Sequence, residues 1–138
     1  MTKPGLPARS ILIVEDDQLL KLLTIDIVEE AGFVALSASN ADEAMVILAA
    51  RSDIAMLLTD INMPGSMDGL ELSHVVHTRW PLIKIVVVSA RNDVSAKDIP
   101  AEGRFFRKPY HADVMISAIR SSIGPGGRPA GNSVYLDV

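Results

Sequence analysis

The chain has 138 residues, 49% of them hydrophobic, which suits one domain with one core, and with aromatics at only 4% that core must be filled by Val, Ile, Leu and Ala. A net charge of −4 lacks the basic surplus of a nucleic-acid binder, although Arg104, Arg107 and Lys108 leave room for a local basic patch, and the absence of cysteine excludes disulfides, thiol catalysis and cysteine metal sites. No apolar run approaches the roughly 18 residues of a membrane span, and MTKPGLPARS has no stretch resembling a signal peptide, so a soluble cytoplasmic protein is expected, binding neither nucleic acid nor membrane.

In chain order, residues 1–9 hold two prolines and a glycine and predict a flexible leader. ILIV (Ile11 to Val14) is a continuous apolar run, the pattern of a strand buried on both faces in a parallel sheet. Leu20, Leu23, Ile27 and Ala31 follow at helix spacing, with Asp17 placed to cap the start and Gly32 to stop the end. Phe33 to Ser37 predicts a second strand. Asn40 followed by Glu43 predicts a capped helix through Ala50, and Ile54 to Thr59 a third strand. Asp68 with Glu71 opens another helix, which carries His74 and His77 and ends near Trp80-Pro81. Ile83 to Ser89 is the most strand-like run in the chain. Phe105 and Phe106 suggest a short last strand, and Tyr110 to Ile123 a last helix through Val114, Ala118 and Ile119. GPGGRPAGNS, opening residues 124–138, predicts a flexible tail.

Alternation of strand and helix argues for a parallel sheet covered by helices, with ligands bound beyond the carboxyl ends of the strands. The polar residues just past each apolar run are Glu15, Asp16 and Asp17 after the first, Asp60 after the third, Ser89 at the fourth and Lys108 after the fifth. Clustered carboxylates repel unless a cation shares them, and an all-oxygen set points to a hard ion such as Mg²⁺. A carboxylate beside such an ion can act as a nucleophile and form an aspartyl phosphate, whose oxygens an ammonium and a hydroxyl would meet.

ILIVEDD, LLTDINMP, MDG, VVVSA and FFRKPY occur together and in order, and with them the chain resembles the receiver domain of two-component response regulators. The resemblance implies a doubly wound α/β fold over 10–123, with five parallel strands in the flavodoxin-like order 2-1-3-4-5. It implies that Asp60 is the phosphoacceptor, and that Glu15 and Asp16 organise Mg²⁺ together with Asp60 and the backbone carbonyl of Asn62. It further implies that Ser89 and Phe105 are the switch residues, that Lys108 holds a phosphoryl oxygen, and that Lys108–Pro109 is often a cis bond. The partners it implies are a histidine kinase or histidine phosphotransfer protein and a downstream protein target.

Two departures stand out. MPGSMDG has one residue more than the commoner loop, which should alter its shape and not its chemistry. The segment between Ser89 and Lys108 is short, polar and broken by Pro100, so the fourth helix should be stunted or missing, residues 91–103 should form a loop with at most a brief helical turn, and the protein should not use the common dimer face. Residues 124–138 are too few for an output domain, so the expectation is a stand-alone receiver, with the receiver fragment of a hybrid histidine kinase as a related alternative that the sequence does not separate from it. It would not be an enzyme beyond self-phosphorylation from a phosphodonor and slow autodephosphorylation. The alternative of another class is a Mg-dependent, aspartyl-phosphate phosphatase-like enzyme. Such enzymes commonly carry a second Asp two residues after the first, where this chain has Asn62.

Overall fold

The computed structural model describes residues 9–124, so the expected leader and tail lie outside the described residues apart from Arg9 and Gly124. Five strands, β1 (Ser10–Val14), β2 (Val34–Ala38), β3 (Ile54–Asp60), β4 (Lys84–Ser89) and β5 (Arg104–Arg107), pair in parallel in the order β2-β1-β3-β4-β5. Four helices, α1 (Gln18–Glu30), α2 (Ala41–Ala50), α3 (Gly69–Arg79) and α4 (Ala112–Ile123), cover the two faces. This is the expected doubly wound architecture and strand order.

The continuous apolar runs resolve into two alternating sets. Leu12, Val14, Leu57, Ile85 and Val87 face one way and pack with Ala41, Ala44 and Leu48 of α2 and Leu72 and Val76 of α3. Ile11, Ile13, Met56, Leu58, Val86 and Val88 face the other way and meet Val28 of α1 and Met115 and Ile119 of α4. Burying both faces removes most of the apolar strand surface from water, the main favourable term in folding.

The helix starts follow the caps read from sequence. Asp17 Oδ1 accepts the Leu20 amide at 2.9 Å, and Asp68 with Glu71 forms a complete capping box. Asn40 caps α2, but the returning Glu43 carboxylate accepts the amide of Ser39 at 2.7 Å, one residue before the cap.

Two helix faces differ from expectation. In α1 the buried residues are Thr24 and Val28, whereas Leu20 and Leu23 remain 38% and 50% exposed. Thr24 tolerates burial because its hydroxyl donates to the Leu20 carbonyl at 2.8 Å. In α4 it is Met115, not Val114, that turns inward with Ala118 and Ile119. Both helices carry more apolar residues than one face needs, so spacing alone does not pick the face.

Between β4 and β5 there is only a single 3-10 turn at Ala96–Asp98, as the polar composition required. It is not a free loop. Ile99 and Pro100 are buried, Ile99 joins the α2–α3 side of the core, and the Asp98 carbonyl meets His74 Nε2 of α3 at 2.8 Å. The lengthened loop after β3 turns at Gly65 (φ +109°), and Ser66 donates to Asp42 of α2 at 2.8 Å.

Candidate functional site

Strands β1 and β3 are neighbours in the centre of the sheet, so the residues following their parallel ends emerge side by side. Glu15 and Asp16 leave β1, and Asp60 is the last residue of β3. One carboxylate oxygen from each lies within 4.8 Å of the others. Glu15 and Asp60 are buried, at 5% and 8% exposure, whereas Asp16 faces solvent. Asp17, the remaining acid of the run, is turned away to cap α1.

Lys108 reaches the same point from the end of β5. Its Nζ donates to Asp60 Oδ2 at 3.0 Å and to Glu15 Oε1 at 3.2 Å. Burial opposes its charge, but the hydrogen bonds and charges of Asp60 and Glu15 outweigh that, and the ammonium stays above its ordinary range. For Glu15 the balance falls the other way. Burial pushes its carboxyl up and Asp60 adds to this, although the Asp17 amide and Lys108 pull it down. Three carboxylates against one ammonium leave the cluster with surplus negative charge. That surplus, the all-oxygen donor set and the mutual closeness fit a hard divalent cation.

Ser89 ends β4 beside this cluster, fully buried. Its Oγ accepts the Arg91 amide at 3.1 Å. Phe105 lies half-buried against the α2–α3 side of the core. Asn62 is exposed in the loop after Asp60, and Lys108–Pro109 is cis, as the resemblance implied. Of the possible basic patch, only Lys108 turns to the site. Lys108 is committed to the carboxylates, Arg104 stacks over Phe106 and donates to Ser121, and Arg107 donates to Asn92.

A cavity of about 470 Å³ opens onto Asp60, Glu15 and Lys108. Its apolar walls include Leu20, Leu23 and Ile27 of α1, with Pro109 and Tyr110 opposite. Burial raises the Tyr110 phenol, which is hydrogen-bonded to Thr24. Sequence reasoning missed this wall. Its signal was the leucine surplus at the start of α1, more than the core-facing stripe uses.

The model of the family described as "Response regulator receiver domain" matches residues 11–120. The chain is 33% identical to the nitrogen assimilation regulatory protein NtrX of Azorhizobium caulinodans over 114 residues, covering 79% of this chain and 25% of that protein. It spans about a quarter of the length of the curated relatives it matches. Among solved structures, a response regulator receiver protein from Sinorhizobium medicae superposes with a TM-score of 0.78 at 23% identity, covering 86% of this chain and 97% of that one. Response regulator protein TrrA from Thermotoga maritima, solved in complex with Mg(2+)-BeF, superposes with a TM-score of 0.71 at 22% identity, covering 82% of this chain and 97% of that one.

Proposed function

From the premise that the chain belongs to the response regulator receiver domain family, we propose that Asp60 accepts a phosphoryl group from a phosphohistidine on a histidine kinase or phosphotransfer protein. The observation that carries this is the Asp60 carboxylate itself. It is held by the Lys108 ammonium at 3.0 Å, grouped with Glu15 and Asp16, and open to a cavity.

In the transfer, an Asp60 oxygen attacks phosphorus, the bond from phosphorus to the donor's imidazole nitrogen breaks, and the imidazole leaves with that electron pair. An aspartyl phosphate results. Lys108 stands beside the attacking carboxylate, placed to hold a phosphoryl oxygen as charge spreads over the group. Ser89 keeps a hydroxyl hydrogen with no acceptor among the described residues, which suits it to meet another phosphoryl oxygen. Ser89 and Phe105 then pass the change on as the switch pair. Glu15, Asp16, Asp60 and the Asn62 carbonyl would hold Mg²⁺. When bound, that ion would offset the charge of the carboxylates and of the incoming phosphoryl oxygens. Turnover is confined to self-phosphorylation and slow autodephosphorylation.

The donor protein covers the α1 side, where the exposed Leu20 and Leu23 line the cavity and Leu19 and Leu22 are exposed on the same helix. Signalling follows by contact with a downstream protein. Among the described residues no helix is long and apolar enough to cross a membrane, and we propose a cytoplasmic location. The phosphatase-like alternative gains no support, because Asn62 stands where a second acid is required and cannot protonate a leaving group.

Incubation with Mg²⁺ and acetyl phosphate should give a phosphoryl mass adduct at Asp60, and Asp60→Asn should fold and give none. Normal labelling of that variant at the same peptide would overturn the assignment.

A further inference from the structure

Gly69, the first residue of α3, presses directly on the backbone of the acceptor residue. Its amide donates to the Ile61 carbonyl at 2.8 Å. A Cβ built on Gly69 would stand 1.8 Å from the Asp60 carbonyl oxygen, 2.6 Å from the Asp60 carbonyl carbon and 2.8 Å from Ile61 Cα. These are backbone atoms at the end of a central strand, so they cannot move aside as a flexible side chain would. The glycine is there for clearance. The crowding comes from the first side-chain carbon, so every other residue type would meet the same obstacle.

The first turn of α3 is itself held firmly. Asp68 and Glu71 close a capping box around Gly69, and Leu72 and Val76 anchor the helix in the core. An added carbon would therefore push the first turn of α3 and the end of β3 apart, and part of that displacement would fall on Asp60. The Asp60 side chain has little slack to absorb it, because Oδ2 is tied to Lys108 at 3.0 Å and Thr59 Oγ1 donates to the Asp60 carbonyl at 2.8 Å. We propose that Gly69 is a positioning residue for the phosphoacceptor: by lacking a side chain it lets α3 seat on the Asp60 carbonyl and so sets where the carboxylate stands relative to Lys108 and Glu15. The inference rests on Asp60 being the acceptor, and it extends that reading to a residue that touches neither donor nor metal.

The test compares Gly69→Ala and Gly69→Ser with Gly103→Ala. Gly103 is also crowded, though less so, with Ile99 Cγ2 at 2.7 Å and the Pro100 carbonyl at 3.0 Å, and lies away from Asp60. A misplacement of the reacting group is costly, so at saturating acetyl phosphate Gly69→Ala should label at least about ten-fold more slowly, with the half-saturating donor concentration changed by less than about three-fold. Gly69→Ser should match Gly69→Ala, since the first carbon does the damage. Gly103→Ala should slow labelling by less than about two-fold, because only the folded fraction changes. Without donor or metal, the amide NMR signals of Asp60 and Ile61 should move in Gly69→Ala and stay in Gly103→Ala.

Wild-type labelling by Gly69→Ala, or an equal loss in Gly103→Ala, would overturn the proposal. If Gly69→Ala fails to fold, Asp68→Ala serves instead by freeing only the first turn of α3. Several-fold slower labelling supports the proposal, and an unchanged rate overturns it. Should the wild type take up no phosphate, the functional reading fails on its own, and the amide signals alone decide whether Gly69 positions Asp60.

Discussion

Glu15 is held in a place that its own charge resists. Burial and Asp60 push its carboxyl up, and Lys108 only partly compensates. A carboxyl raised in the folded state lowers stability as pH rises through the interval between its ordinary and raised values, and the loss is complete above that interval. Glu15→Gln should therefore raise the metal-free melting temperature at neutral pH, and the gain should vanish in acid below the ordinary carboxylate range. The same substitution should weaken Mg²⁺ binding by titration. A Gln variant melting below wild type at pH 7 would show that the Lys108 pair outweighs the burial. At this scale much could be read from sequence, because Asp60, Ser89 and Lys108 sit where apolar runs stop. The three-way contact of Lys108 with Glu15 and Asp60 could not, since it depends on how far β5 stands from β1 across the sheet. Nor could the clearance at Gly69: the MDG motif marks the residue, but not what its missing side chain makes room for.

Among the elements, the segment between β4 and β5 departs furthest from the common receiver plan. Composition showed that it could not form a long helix, and one 3-10 turn is what it forms. Composition did not show its anchor, because two apolar residues, Val94 and Ile99, in a polar stretch give no periodicity to read. Ile99 is only 7% exposed and packs into the α2–α3 side of the core. Ile99→Ala should cost roughly 2–3 kcal/mol in denaturant unfolding, toward the lower end of the range for such truncations because a short segment can settle into the space. Hydrogen exchange across 91–103 should still run ahead of β1, β3 and β4, since the segment contributes few buried groups. A loss under about 0.5 kcal/mol would mean that the anchor is idle. The α1 face was misjudged for a related reason: with Leu19, Leu20, Leu22 and Leu23 all present, helix spacing fits several stripes, and only packing against β1 and α4 selects Thr24, Val28 and Ala31.

For the whole molecule, alternation of strands and helices sufficed to give a parallel sheet, and the family resemblance supplied its order. Which strand residue faces which helix pair stayed hidden, because strands apolar on both faces show no alternation. The described fold also begins and ends in one place: an Arg9 guanidinium donates to the Ile123 carbonyl and lies over Phe33, at the end of the strands opposite the acidic cluster. The two ends can therefore be joined on the side of the sheet away from the acceptor site. Joining Gly124 to Arg9 through a short flexible linker, and reopening the chain before Leu82, which is 92% exposed, should give a circular permutant of the described fold with the same sheet. It should melt lower, yet label from acetyl phosphate within about three-fold of the parent, because every group around Asp60 keeps its neighbours. A folded permutant that no longer took up phosphate would mean that the α3–β4 connection, remote from the carboxylates, holds tension that the site needs.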